Sequence, residues 1–179
     1  MLNITVPARE MYDEKTQTFF SIKETKLQLE HSLVSVSKWE SKWCKPFLSK
    51  EEKTLEETLD YIKCMTITQN VDSNVYNLLT ESNIKKINDY IGAPMTATTF
   101  NNQQSKSSNE ITTAELIYYW MISFNIPMEC QKWHLNKLLT LIRVCNIKNT
   151  PPKKMNRREV ASRYAAINAA RKKQFNTHG

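Results

Sequence analysis

The chain has 179 residues, of which 40% are hydrophobic and 24% are charged, values that are ordinary for one globular domain with a substantial core. Only two residues are glycine, which disfavours glycine-rich phosphate-binding loops and β-sandwiches with many tight turns. The sequence shows no signal peptide and no apolar run long enough for a transmembrane helix, so we expect a cytoplasmic protein without a membrane partner.

The net charge of +7 arises almost entirely at the C-terminus. Residues 148–179 contain nine lysines and arginines but a single acid, Glu159, and so carry +8, which leaves −1 for residues 1–147. The basic composition is therefore a property of a C-terminal arm. It gives no reason to expect nucleic-acid binding by the rest of the chain.

Residues 1–30 are predicted to be rich in β-structure. Stretches with alternating or β-branched residues predict strands at 2–6, 19–22 and 26–29, and the polar residues 12–16 predict a turn between the first two. We expect a small antiparallel sheet of two or three strands.

The stretch 31–43 predicts a helix with one apolar stripe. The stripe consists of residues at helical spacing, Leu33, Val36, Trp39 and Trp43. We expect Glu40 and Lys42 to face solvent beside it, and Pro46 to end the helix.

A second helix is predicted to begin at Thr54. Thr54 and Glu57 match a capping box, in which each side chain accepts the backbone N–H of the other residue. The expected buried face contains Leu55, Leu59, Ile62 and Met65, and the expected solvated face contains Glu56, Glu57, Asp60 and Lys63. Further helices are predicted to begin at Asp72 and at Thr80, the latter ending near Gly92.

Residues 96–112 are predicted to form a mobile hairpin. The segments 96–100 and 110–112 have a composition compatible with strands. Residues 101–109 between them contain no apolar side chain and are predicted to be the tip.

The centre of the fold is predicted to be a helical hairpin within residues 113–149. Its first arm is apolar on nearly all sides, so we expect it to be buried on all sides. Pro127 suits the first turn of the second arm, where its missing N–H costs nothing. The second arm has one apolar face, formed by Leu135, Leu138, Leu139, Ile142 and Cys145.

We therefore predict an α+β fold that is predominantly α-helical, with a small N-terminal antiparallel β-sheet packed on a helical bundle and a basic C-terminal helix. One globular domain is expected at 1–149, followed by an arm at 150–179, because consecutive prolines at 151 and 152 cannot continue a helix. The alanine-rich sequence up to Ala170 favours a helix in that arm.

Patterns typical of enzymes and metal sites are missing from the sequence. Cys130 and His134 have the spacing of two ligands on one helix, but the remaining cysteines form no Cys-x-x-Cys pair. The common nucleophile, metalloprotease and phosphate-loop signatures do not occur. We predict a protein without enzymatic activity, metal or cofactor.

Aromatic side chains are the candidate partner-binding residues, because aromatics are enriched in protein–protein interfaces. The candidates are Trp39, Trp43, Phe47, Trp133 and Tyr164. The alternative interpretation is that all four tryptophans of the chain belong to the core.

The basic arm has three interpretations. It binds phosphate groups of nucleic acid without reading bases, it binds an acidic protein, or it is a solvated helix without a ligand. A thin apolar stripe that includes Tyr164 favours protein docking over nucleic acid. The cations concerned are Lys153, Lys154, Arg157, Arg158, Arg163, Arg171, Lys172 and Lys173.

Several stretches together resemble a family encoded in the tail gene clusters of long-tailed bacteriophages, the tail assembly chaperones. The resemblance spans most of residues 1–155 and consists of whole stretches and not of a short diagnostic motif. The stretches are LEHSL at 29–33, SKWESKW at 37–43, ETLDYI at 57–62, PMTATTF at 94–100 and KWHLNKLL at 132–139.

The resemblance implies a non-enzymatic protein of the host cytoplasm that binds the tape-measure protein and helps tail-tube subunits to polymerise around it. The implied partners are the tape-measure protein and the tail-tube protein, and self-association is a further expectation. Grooves beside the central hairpin, or the stretch 39–47, are the places where helices of the tape-measure protein could bind. Two alternatives remain open: a minor structural or head–tail joining protein of the phage, and a phage nucleic-acid-binding protein that uses the basic arm.

Overall fold

The computed structural model of the chain describes residues 1–13, 18–100, 111–151 and 156–176. The chain divides into two compact units, Met1–Asn146 and Ile147–Gly179. The predicted α+β class, predominantly helical and with antiparallel β-structure at the N-terminus, is confirmed.

The β-structure consists of two antiparallel pairs. Strand β1 (Leu2–Val6) pairs with β4 (Thr25–Leu29), and β2 (Arg9–Asp13) pairs with β3 (Thr18–Ile22). The predicted strands at 2–6, 19–22 and 26–29 are therefore confirmed. The turn predicted at 12–16 is wrong for residues 12 and 13, which belong to β2, and residues 14–17 lie outside the described part of the chain.

Strand β2 escaped prediction because its sequence, REMYD, contains no β-branched residue and two charged residues at its start. Its conformation follows from pairing with β3, in the register Arg9 opposite Ile22. The local sequence of β2 does not indicate this pairing with another strand, so it could not predict the strand.

Backbone and side-chain groups of later elements cover the edges of the β1–β4 sheet. The N–H of Ile67 donates to the carbonyl of Gln28 at 2.8 Å, and the N–H of Glu30 donates to the carbonyl of Met65 at 2.9 Å. On the other strand, the amide of Asn83 donates to the carbonyl of Thr5 at 3.2 Å. These bonds satisfy edge groups that would otherwise be open to a further strand.

Helices α1 (Leu33–Trp43) and α2 (Leu55–Met65) pack against each other. Ser32 caps α1, and the predicted capping box of Thr54 and Glu57 begins α2. In α1 the predicted stripe is confirmed, since Leu33, Val36 and Trp39 are buried and Trp43 is partly buried.

The predicted faces of these helices are wrong at several polar positions. Glu40 is buried on α1, and Glu57 and Asp60 are buried on α2, whereas Lys42, Glu56 and Lys63 are exposed as expected. Leu55, which was predicted to be buried, is 77% exposed, whereas Tyr61, which was not among the predicted buried residues, lies in the core. The reason is that each buried carboxylate has strong hydrogen-bond donors within reach, which offsets the cost of its desolvation.

A 3₁₀ helix (Ser73–Leu78) capped by Asp72 and helix α3 (Glu81–Gly92) capped by Thr80 follow, as predicted. Residues 96–100 and 111–113 contain no strand, so the strands proposed for the hairpin are wrong there. The predicted tip at 101–109 lies outside the described residues.

Helix α4 (Ala114–Ser123) packs on α1, and its buried residues are Ala114, Ile117 and Met121. The expectation that this arm is buried on all sides is wrong, because Tyr119 and Ile122 are 63% and 67% exposed. Because the residues on all sides of this helix are apolar or aromatic, the sequence does not indicate which side is buried.

The second arm begins later than predicted. Pro127 precedes a 3₁₀ helix (Met128–Lys132), and helix α5 (Leu135–Asn149) follows only after His134. Cys130 and His134 consequently do not share a helix, contrary to the spacing argument. On α5 the predicted face is confirmed, with Leu135, Leu138 and Ile142 buried and Leu139 and Cys145 partly buried.

Helix α6 (Arg157–Phe175) lies in the second unit, and the basic C-terminal helix predicted from the sequence is therefore confirmed. Its cations are distributed around the whole helix, and its apolar residues are largely accessible, with Tyr164 63% and Phe175 68% exposed. Lys153 and Lys154 of the predicted basic arm lie outside the described residues.

Candidate partner-binding groove

The buried polar residues of the first unit hold the fold together. The two carboxylate oxygens of Glu40 accept the backbone N–H groups of Phe47 and Ala114, each at 2.7 Å. Ala114 is the first residue of α4, so the carboxylate also lies at the positive end of a helix dipole. Glu40 thus fixes the loop after α1 and the start of α4.

Two further carboxylates join α1 to α2. Glu57 accepts from Lys45 at 2.6 Å and from the N–H of Thr54 at 2.8 Å, and both hydrogen bonds lower the pKa of its carboxyl. Burial alone would raise the pKa of Asp60, but hydrogen bonds from Lys42 and from the indole of Trp43 outweigh this effect and lower it. These groups remain charged at neutral pH and act structurally.

The two described histidines form a buried pair whose ring centroids are 5.1 Å apart. The Nδ1 atom of His31 lies 2.5 Å from the hydroxyl of Tyr61. Burial, together with the nearby His134 ring, lowers the pKa of His31 to about 4. His31 is 2% and Tyr61 3% exposed, so a reactant has no access to either group.

His134 caps α5. The N–H of Asn136 donates to Nδ1 of His134 at 3.3 Å. The proton of the His134 ring is therefore on Nε2, which donates to the carbonyl of Tyr90 at 3.0 Å.

Within the described ranges, no group of three or more His, Cys, Asp or Glu side chains is arranged to hold a metal ion. In the same part of the chain, no helix combines the length and the apolar character that a membrane crossing requires.

An apolar cleft lies between α4 and α5. A cavity of about 310 Å³ is lined by Trp120, Phe124, Leu139, Ile142, Arg143 and Asn146. It exists because each helix uses one side for the core, which leaves Trp120, Phe124 and Leu139 partly buried at the flanks. Apolar clefts between helices are common binding sites for other molecules.

A second cavity of about 430 Å³ adjoins the first. Its lining runs from the end of α3 to α5: Gly92, Pro94, Thr96, Thr98, Phe100, Asn136, Leu139, Thr140 and Arg143. Leu139 and Arg143 line both cavities, so the two form one depression along α5. We refer to the two cavities together as the α4–α5 groove.

Arg143 is the charged residue of the groove. Its guanidinium lies 4.1 Å from the centroid of the Phe100 ring, and its side chain is exposed. Among the described residues that line the two cavities, none is acidic.

The predicted partner-binding residues do not come together at one site. Trp39 and Phe47 are 1% and 9% exposed, so they belong to the core and their rings are not available to a partner. Trp43 is partly buried and stacks on Trp39, with centroids 6.2 Å apart. These rings face inward because α1 turns its aromatic stripe toward α2, where the indole of Trp39 donates to the carbonyl of Glu57 at 2.9 Å.

Two of the predicted residues are accessible. Trp133 is 38% exposed, with the ammonium of Lys137 4.3 Å from its ring, and Tyr164 lies on α6 in the second unit. Grooves beside the central hairpin were predicted as possible helix-binding sites, but Trp120, Phe124 and Arg143 were not among the predicted partner-binding residues. The signal that could have found them is the run of seven consecutive apolar or aromatic residues at 116–122, more than one buried side of a helix can accommodate.

Comparisons with protein-family models, with characterised proteins and with solved structures find no match to this chain.

Proposed function

We propose that this protein is a non-enzymatic tail assembly chaperone of a long-tailed bacteriophage, which binds the tape-measure protein in the host cytoplasm and assists assembly of the tail tube. The sequence stretches at 29–33, 37–43, 57–62, 94–100 and 132–139 suggest the class. The observation that carries the proposal is the apolar α4–α5 groove, whose wall residues Trp120, Phe124 and Leu139 are partly buried.

An elongated helical protein is the type of partner that such a groove suits. An amphipathic helix places its apolar side chains at intervals of three and four residues, and recognition in grooves between helices uses that spacing. A tape-measure protein is a long helical chain and exposes apolar stripes until the tube surrounds it. Covering one stripe in the groove would keep it soluble.

The experiment is co-expression of this protein with the tape-measure protein of the same genome, followed by affinity capture and a solubility assay. Retention of the two proteins together, with the tape-measure protein kept soluble, is the expected result. Lack of association with both proteins expressed overturns the proposal.

Variants locate the contact. Phe124→Ala and Leu139→Ala remove side chains of the groove, and both should reduce co-retention. Leu55→Ala is the matched control, because it removes an apolar side chain that is 77% exposed and is not part of the groove lining. Equal retention by all three variants would place the contact elsewhere on the protein.

A second candidate function is nucleic-acid binding through α6. It is favoured by the accessible cations of this helix, which include Arg157, Arg158 and Lys173. Such binding would be sequence-independent and would weaken steeply as salt rises. Salt-sensitive retention on DNA that disappears when residues 148–179 are removed would favour this candidate over the chaperone.

A third candidate, a minor structural or head–tail joining protein, differs from the chaperone in its final location. Assembly chaperones are absent from the finished particle, whereas structural proteins remain in it. Detection of the chain in purified virions would therefore favour the structural candidate.

A further inference from the structure

We infer that the α4–α5 groove selects a partner helix that carries a carboxylate beside its apolar ridge, and that Arg143 is the residue that recognises this carboxylate. The inference rests on the proposed function in one respect, namely that the groove receives a helix of another protein. It goes further by specifying the charge pattern of that helix.

The position of Arg143 provides the first argument. It lies on the border of the two cavities, which it shares with Leu139, so a helix in either cavity passes its side chain. The contact with the face of Phe100 orders the guanidinium while leaving its N–H donors, which lie in the guanidinium plane, available. A planar fork of donors matches the geometry of a carboxylate.

The charge balance provides the second argument. In the described part of the chain, no carboxylate pairs with Arg143. The whole of α5 contains no Asp or Glu but carries Lys137, Arg143 and Lys148. A basic partner helix would be repelled along α5, whereas an acidic flank would be attracted and oriented.

Apolar surroundings strengthen the ion pair between Arg143 and a carboxylate of the partner helix. Trp120, Phe124 and Leu139 would exclude water from a bound helix beside the guanidinium, and an ion pair is screened less by salt when it is partly buried. A hydrogen bond to a charged group in such a site changes affinity by about tenfold or more.

The test uses synthetic helical peptides with the same ridge of leucines and with flanks of Glu, Gln or Lys. Binding of each labelled peptide to the full chain is measured by fluorescence anisotropy at low and at moderate salt. We expect the Glu peptide to bind about tenfold more tightly than the Gln peptide, and the Lys peptide to bind more weakly than both.

Two charge reversals on α5 identify the residue responsible. Arg143→Glu should reverse the order of the Glu and Lys peptides, whereas Lys137→Glu, on the same helix but outside the groove lining, should preserve it. Circular dichroism of both variants tests whether they are folded. Arg143→Gln, which keeps the length and removes the charge, should abolish the preference without reversing it.

Equal affinity for the Glu and Lys peptides, or the same reversal by Lys137→Glu, overturns the inference. If no peptide binds while the tape-measure protein is co-retained, the proposed function stands and the inference falls. If the Glu peptide is preferred through Arg143 but the tape-measure protein is not retained, the inference stands and the proposed partner falls.

Discussion

The carboxylate of Glu40 accepts the backbone N–H of Ala114 at 2.7 Å, although the two residues are 74 positions apart in the chain. Its second oxygen accepts the N–H of Phe47 at the same distance. One buried side chain therefore connects α1 to the start of α4, the helix that forms one wall of the α4–α5 groove. The position of that wall depends on Glu40.

Replacement of Glu40 by Gln should destabilise the protein by about 1–3 kcal/mol, because the amide offers one acceptor oxygen where two buried N–H groups need one each. The side chains have nearly the same shape, so packing is preserved. The free energy of unfolding from urea denaturation measures the effect. Glu56→Gln is the control, since Glu56 is exposed on α2 and its loss should change stability by less than about 0.5 kcal/mol.

Three of the helix starts were predictable from the sequence because a cap is a local structure, whereas the start of α5 was not. Ser, Thr and Asp residues bond to N–H groups two or three positions later, and the caps at Thr54, Asp72 and Thr80 form where the pattern placed them. Burial of Glu40 and Asp60 was not predictable, because Ala114 bonds to Glu40 across 74 positions and the partners of Asp60 lie on another helix. A local pattern assigns a carboxylate to solvent by default.

Replacement of Thr54 by Ala should cost about 1 kcal/mol of stability, because the N–H of Glu57 loses the hydroxyl that accepts it at 3.2 Å. Thr58→Ala provides the control: this hydroxyl donates to the carbonyl of Thr54 within the helix and caps nothing. Thermal unfolding of the two variants gives the comparison. A loss in Thr58→Ala as large as that in Thr54→Ala would contradict the importance of the capping box.

Neighbouring residues of α4 should respond very differently to truncation. Met121 is fully buried, and Met121→Ala should destabilise the protein by about 2–5 kcal/mol through loss of packing. Ile122 is 67% exposed, and Ile122→Ala should change stability by less than about 0.5 kcal/mol. The free energies of unfolding from denaturant titration test this directly, and similar losses for both variants would mean that α4 is buried on all sides.

Which side of α4 remains accessible was not predictable from the sequence. In residues 116–122 every position is apolar or aromatic, so the helical period carries no information about orientation. The contact of Ala114 with Glu40 and the packing of Ile117 and Met121 on the core determine which side remains accessible. Such constraints are visible only in three dimensions.

Stability should fall as the pH is lowered from 6.5 toward 4, because folding favours the neutral form of His31. Burial, together with the nearby His134 ring, lowers the pKa of His31 from 6.5 to about 4, so in this range the unfolded chain binds a proton that the folded chain does not. The free energy of unfolding is therefore highest above pH 6.5. By pH 4 the protonation of His31 in the unfolded chain lowers this free energy by about 3 kcal/mol.

Urea denaturation between pH 7 and pH 5 tests this prediction. The window avoids the carboxyls of Glu57 and Asp60, whose pKa values lie below the usual 4.5 and 3.8, so that their stabilising effect is lost only at lower pH. His31→Asn cannot titrate in this range but keeps a polar group near the Tyr61 hydroxyl, and it should flatten the pH dependence. His178→Asn is the matched control and should leave the slope unchanged. An unaltered slope in His31→Asn would assign the titration to another group.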